Sequence, residues 1–137
     1  MLHRDWGRIL FISSECATLV PEDLIAYSTT KAALLSLSRG ISQLTSGSRV
    51  TVNTIVPGST STKGAEEFLE TVATKENKTK VAVSKAFFND ARKSSLLQRF
   101  AEVKEIADTI TYFSSPLSSA TNGAVIKVDG GSMGGIL

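Results

Sequence analysis

The sequence predicts an α/β chain: a three-stranded parallel layer with helices packed on it. Three observations carry this. Two runs rich in apolar and β-branched residues, at 8–13 and 49–56, are each ended by turn chemistry. Apolarity that is continuous rather than alternating marks a strand buried on both faces, as in a parallel sheet. Between the two runs, 24–44 repeats with a helical period, and strand, helix and strand in that order make a right-handed βαβ unit. A second helical pattern at 102–114 leads to a third short strand at 124–128.

The first run, Arg-Ile-Leu-Phe-Ile-Ser, reads as a buried strand, and Ser14 stands where it leaves the sheet. Residues 14–23 read as a loop closed by Pro21-Glu22-Asp23. Across 24–44, Ala33, Leu37, Ile41 and Leu44 form a stripe, while Ala26, Ser28, Thr29, Thr30, Ala32, Ser36, Ser38 and Gly40 make the remainder small. Such a helix packs on two sides, so one side is expected to meet another subunit. Gly47 ends it. The run R-V-T-V-N-T-I-V is β-branched and reads as the second buried strand, stopped by Pro57-Gly58.

Residues 59–99 read as the irregular part, with Ala65, Phe68, Leu69 and Val72 marking one short amphipathic helix. From 75 to 93 there are six basic residues (Lys75, Lys78, Lys80, Lys85, Arg92, Lys93) against Glu76 and Asp90. Such a run reads as a solvated face, or as a flap that greets an anionic substrate. An excursion this long is more often functional than connective. At 102–114, Val103, Ile106, Ala107, Ile110 and Phe113 follow a helical stripe that Pro116 closes. After the last strand come Asp129-Gly130-Gly131 and a Gly-rich tail, 132–137, expected to fold over a neighbour.

Composition bounds the function classes. The 137 residues make one domain, with 59–101 as a variable flap within it. Apolar content of 42% and charged content of 20% are ordinary for a soluble globular protein. A net charge of +2 gives no argument for nucleic acid or for an anionic membrane, and no run approaches transmembrane length. The single cysteine, Cys16, permits no internal disulfide and fits a reducing, cytoplasmic setting; it reads as a small packed residue. With one histidine, His3, and no cysteine pair, no metal site is expected.

The chemistry concentrates at 14–31. Ser14 lies thirteen residues before Tyr27, and Lys31 lies four after it. Residues at i and i+4 share a helix face, so Tyr27 and Lys31 can project into one pocket. A phenol can give a proton to a carbonyl oxygen and take it back, but its ordinary pKa of about 10 is high for work near neutrality. A nearby ammonium favours the phenolate. A hydroxyl such as that of Ser14 can hold the substrate oxygen.

In this order the chain resembles the C-terminal half of a short-chain dehydrogenase/reductase, a family that includes the 3-oxoacyl-(acyl-carrier-protein) reductases. The matching pieces are G-R-I-L-F-I-S-S at 7–14, Y-S-T-T-K at 27–31, R-V-T-V-N-T-I-V-P-G at 49–58, S-L-L-Q-R-F at 95–100, E-I-A at 105–107 and V-D-G-G at 128–131. Any one of these is weak; six in order are strong. The resemblance implies a partial Rossmann-like, doubly wound parallel sheet: the last three strands and their helices, without the N-terminal nucleotide-binding half. It implies hydride transfer between NAD or NADP and an alcohol/carbonyl pair. Ser14 looks like the serine that binds the substrate carbonyl, Tyr27 like the general acid/base, and Lys31 like the residue that holds the nicotinamide ribose and favours the phenolate. Pro57, Gly58, Thr60 and Thr62 resemble the loop at the nicotinamide end, Thr60 through its backbone and Thr62 through its hydroxyl.

Nothing in the 137 residues matches the Gly-rich turn that grips the pyrophosphate, nor the residue that chooses NAD from NADP, nor the helix carrying the family's fourth catalytic group, an asparagine. Asn53, on a strand, reads as a structural hydrogen bonder. The first strand is then expected to present an unpaired edge. The isolated chain is expected to bind dinucleotide poorly and to be inactive alone; a Gly-rich strand-turn-helix encoded in the reading frame upstream of Met1 would make Met1 a misplaced start. The alternative is a non-catalytic remnant or interaction subunit, as a homo-oligomer or paired with a full-length relative.

Overall fold

The structure is a computed structural model and describes residues 1–135. After a 3₁₀ turn at Leu2–Arg4 come β1 (Gly7–Ile12), a short helix α1 (Cys16–Leu19), a 3₁₀ turn (Glu22–Leu24) and α2 (Ile25–Gln43). Then follow β2 (Val50–Pro57), α3 (Lys63–Glu76), α4 (Lys80–Asp90), α5 (Val103–Ser114), a 3₁₀ turn (Pro116–Ser118) and β3 (Val125–Val128). The strands are parallel in the order β1-β2-β3, in register from Gly7↔Val50 to Ile12↔Ile55 and from Thr54↔Val125 to Pro57↔Val128.

β2 is the axis. Every residue from Val50 to Val56 is buried, with Val52, Ile55 and Val56 wholly inaccessible. Both its faces are therefore covered, as its continuous apolar run requires. Asn53 closes the gap beside it: its Nδ2 donates to Thr121 O (2.9 Å) and its Oδ1 accepts from Ala124 N (3.0 Å), the structural role expected. β1 lies at the edge of the sheet, as expected, but departs from the buried-strand reading: its middle residues are half-buried, and Ile12 is 41% exposed. Its apolar run matches an interior strand, but among the described residues only one neighbour flanks it.

The predicted stripe of α2 is a second correction. The buried positions are the small Ser28, Ser38 and Ser42, whereas Leu37 and Leu44 are exposed and Ala33 also faces out. Small side chains let the helix backbone approach the sheet, and they take the inner face.

The third correction is the segment read as irregular with one short helix. The expected helix is α3, longer than its stripe, and a second, α4, follows; each is started by a threonine: Thr62 Oγ1 accepts from Ala65 N (3.3 Å) and Thr79 Oγ1 from Ala82 N (3.2 Å). Asn77, in the left-handed conformation at φ +51°, ends α3. Leu69, Ala73 and Val83 join the two helices, with Val72 and Phe100 against them. The rings of Phe87, Phe88 and Phe100 complete this small core, with centroids 5.1 to 5.2 Å apart. In the 14–23 loop, α1 is likewise a short helix that the sequence reading missed. The predicted tail includes residues 136 and 137, which lie outside the described residues.

Candidate active site

The site is built where β1 ends. Ser13 N donates to Ile55 O (2.9 Å) and Glu15 N to Pro57 O (2.9 Å), so the chain stays tied to β2 on both sides of Ser14. Ser14 is half-buried, and its Oγ accepts from Cys16 N (3.2 Å), which orients the hydroxyl. Two bonds pin α2 to the same point. Ser13 Oγ donates to Lys31 O (2.8 Å), and Lys31 Nζ donates to Ile12 O (3.1 Å). Tyr27 stands one turn earlier on that face. The Lys31 ammonium lies 5.5 Å from the Tyr27 ring centroid. Tyr27 is 43% exposed, and its hydroxyl has no partner among the described residues. Tyr27 and Lys31 are thus brought together, facing outward, next to the strand end that carries Ser14.

The Pro57-Gly58 turn has a reason the sequence did not disclose. Gly58 N donates to Val128 O (3.0 Å), and a Cβ on Gly58 would stand 2.6 Å from Asp129 Cα. The Pro-Gly and Asp-Gly-Gly motifs are two sides of one backbone contact. The buried Asp129 carboxylate accepts from Gly131 N (3.0 Å) and Met133 N (2.7 Å), holding the second side in shape. Beyond Gly58, the loop pairs with Ala101 in a parallel bridge that uses Ser59 O and Ser61 N. The Thr60 N–H takes no part in that bridge. The Thr62 hydroxyl oxygen is engaged as the cap of α3, with its own proton left to donate. Pro57, Thr60 and Thr62 line a cavity of about 250 Å³ closed by Val103, Ile106, Ala107 and Ile110 of α5.

A larger cavity of about 620 Å³ lies against α3 and α4 and is lined by none of Ser14, Tyr27 or Lys31. Its charges are mostly spoken for. Lys80 Nζ meets Glu70 (3.0 Å) and Glu66 (3.8 Å), and its pKa is raised first by the Glu70 hydrogen bond. Arg99 bonds both oxygens of Glu105 (2.8 Å each), which holds that carboxyl at about 2. Of the six basic residues in 75–93, Lys78, Lys80 and Arg92 are in ion pairs, so much of the run is balanced within the protein. The described residues contain no group of three or more His, Cys, Asp or Glu able to hold a metal ion, and no helix long and apolar enough to cross a membrane.

Comparison with known proteins places this architecture. The family described as enoyl-(acyl carrier protein) reductase matches residues 1–133. The chain is 43% identical over 131 residues to an uncharacterized oxidoreductase, YvaG, of Bacillus subtilis, covering 96% of this chain and 50% of that one. It is 30% identical to the 3-oxoacyl-(acyl-carrier-protein) reductase FabG of Aquifex aeolicus, covering 96% and 47%. Among solved structures, YwfH, an NADPH-dependent reductase involved in bacilysin biosynthesis, superposes with a TM-score of 0.82 at 26% identity, covering 98% of this chain and 50% of that one. The L-sorbose reductase of Gluconobacter frateurii, solved with NADPH and L-sorbose, shares the fold at a TM-score of 0.90 and 23% identity, covering 99% and 51%. The chain spans about half the length of the curated relatives it matches. The ordered motifs, the three-stranded parallel sheet and these matches lead to one conclusion: the chain belongs to the short-chain dehydrogenase/reductase family.

Proposed function

We propose that the chain carries the catalytic residues of an NAD- or NADP-dependent oxidoreductase acting on an alcohol/carbonyl pair. The single observation behind this is the pinned Tyr27–Lys31 pair at the end of β1, beside Ser14. The residues fit the nicotinamide end of such a cofactor: Lys31 offers an ammonium, and Pro57, Thr60 and Thr62 of the loop after β2 border a cavity, which none of Ser14, Tyr27 or Lys31 lines. A nicotinamide cofactor, when bound, supplies or accepts the hydride. Ser14 holds the substrate oxygen through its hydroxyl. In the reducing direction Tyr27 gives its phenolic proton to that oxygen, and in the oxidising direction the phenolate takes it back. The Lys31 ammonium stabilises the charge left on the phenol oxygen. Thr60, by its N–H, and Thr62, by its hydroxyl, orient the cofactor's amide.

The test is a fusion of this chain to the first half of YvaG, assayed with NADH and NADPH on a panel of carbonyl compounds. Proton transfer by a placed side chain contributes about 10² to 10⁴ in rate. Tyr27→Phe is therefore expected to lower turnover by that factor while leaving dinucleotide binding unchanged. Undiminished turnover would remove Tyr27 from the mechanism.

A second reading, an interaction subunit that pairs with a full-length relative or with itself, is favoured by the outward apolar residues of α2 and the edge position of β1. Size-exclusion chromatography with light scattering, with and without a co-expressed relative, separates the two. A chain that elutes as a lone monomer in both cases ends the subunit reading.

A further inference from the structure

The carboxylate of Glu15 is buried where the strand ends meet, and the chemistry above does not use it. Glu15 is 2% exposed. Its Oε1 accepts from Arg92 Nε (2.8 Å) and from Ser59 Oγ (3.0 Å), while its Oε2 has no donor among the described residues. Arg92 arrives from the turn after α4. Its side chain is 11% exposed, its Nη2 lies 3.7 Å from Cys16 Sγ, and its guanidinium sits over the Phe87 ring at 5.4 Å. Just beyond it, Ser94 Oγ donates to Ser132 O (2.7 Å), and Leu96 N and Leu97 N donate to Gly130 O (2.8 and 2.9 Å). One carboxylate thus joins the loop after β1, the loop after β2 and the return of the α3–α4 excursion. That return is in turn bonded to the turn after β3.

As a source of stability this pair is poorly made. A buried ion pair repays its desolvation only when its remaining polar atoms are satisfied, and one carboxylate oxygen here is not. Apolar residues of similar volume would stabilise the fold as well. What the pair supplies is geometry, because a guanidinium fork has a fixed plane. That geometry bears on Ser14. Glu15 follows it in the chain, and Cys16, which Arg92 touches, gives the N–H that orients the Ser14 hydroxyl.

We propose that Glu15 and Arg92 form a latch that seats the α3–α4 excursion on the serine-bearing loop, and that Glu15 is through it a positioning residue for Ser14. The role given to Ser14 rests on the reductase reading. The latch is tested without turnover, so the two can fail separately.

The test uses the whole chain, in which Cys16 is the one thiol. Two quantities are read: the rate at which a disulfide reagent labels Cys16 under native conditions, and the amide resonance of Cys16, whose proton Ser14 Oγ accepts. Arg92→Met and Glu15→Gln are each expected to raise labelling on the order of tenfold or more and to move the Cys16 amide; residues in one network couple, so the double variant adds little to either. Arg92→Lys, which keeps the charge but loses the planar fork, is expected to restore only a minor part of either signal. Unchanged labelling and an unmoved amide in Arg92→Met overturn the latch, as do single effects that simply multiply in the double variant. Should Arg92→Met lose its helical circular dichroism, Glu15→Gln and Arg92→Lys decide, and an amide unmoved in both overturns the proposal.

Discussion

Replacing Gly58 by alanine tests whether the loop at the candidate site is held by backbone contact. The added Cβ would stand 2.6 Å from Asp129 Cα, 2.7 Å from Asp129 O and 2.9 Å from Asp129 C. Carbon atoms rest about 3.5 to 4.0 Å apart, so the two backbones must separate by roughly 1 Å. No side-chain rotation can relieve this, because the obstructing atoms are main chain. Overpacking of this kind costs about 1 to 3 kcal/mol. The same movement stretches the Gly58 N to Val128 O bond, now 3.0 Å, which adds roughly 1 kcal/mol. The expected loss is about 2 to 4 kcal/mol. With a urea dependence of roughly 2 kcal/mol per molar, the midpoint should fall by about 1 to 2 M, read by far-ultraviolet circular dichroism. Gly64→Ala is the control, since nothing lies within 4 Å of its Cβ and it sits in α3. It should stabilise by about 0.5 to 1 kcal/mol through helix propensity alone. The reasoning is refuted if Gly58→Ala changes stability by less than about 0.5 kcal/mol, or if both variants shift the midpoint the same way.

Two further outcomes are expected. Phe88 is 2% exposed and wedged between Phe87 and Phe100, so Phe88→Ala should cost about 3 to 5 kcal/mol, with hydrogen exchange speeding first in α3 and α4; protection lost from β2 at the same rate would mean that the flap core is not separate. Glu105 titrates at about 2 instead of 4.5, chiefly because Arg99 donates to it and then because Glu102 N–H does. A depressed folded pKa gives stability that is whole above 4.5 and lost as pH falls toward 2, so the acid slope of the urea midpoint in that window should flatten in Glu105→Gln; an unaltered slope would remove Glu105 from the acid response.

How far the sequence could be read depends on the scale of the interaction. β2 was legible because a buried parallel strand writes itself as an unbroken β-branched run. The Tyr27–Lys31 pair was legible because four residues make one helical turn. Asn53 was legible as a structural residue because a polar side chain within such a run must find partners. What failed was whatever depends on neighbours in space. The run at β1 is as apolar as that at β2, yet Ile12 is 41% exposed; apolarity alone does not tell an edge strand from an interior one, and the edge was expected only from the family resemblance. α4 escaped notice because its apolar residues are spread around the helix, and only the cap at Thr79 marked its start. The Glu15–Arg92 contact spans 77 positions, and no local pattern joins residues so far apart. The close approach of Gly58 to Asp129 was written twice, as Pro-Gly and as Asp-Gly-Gly, without any sign that the two belong together.

The reversal of α2 connects packing to chemistry. A stripe of Leu and Ile facing the sheet would hold the helix axis farther out by the thickness of those side chains, since interaxial distance follows the residues at the contact. Ser28, Ser38 and Ser42 on that face allow a closer approach. Closeness is what the site requires: the Ser13 hydroxyl reaches Lys31 O at 2.8 Å, and the Lys31 amine reaches Ile12 O at 3.1 Å. Both bonds fix Lys31, and Tyr27 on the same face is fixed with it. The small residues that made 24–44 an odd amphipathic helix are therefore the means by which a phenol and an ammonium are set at a strand end. The large ones are left outside, where Leu37 and Leu44 remain exposed on this chain.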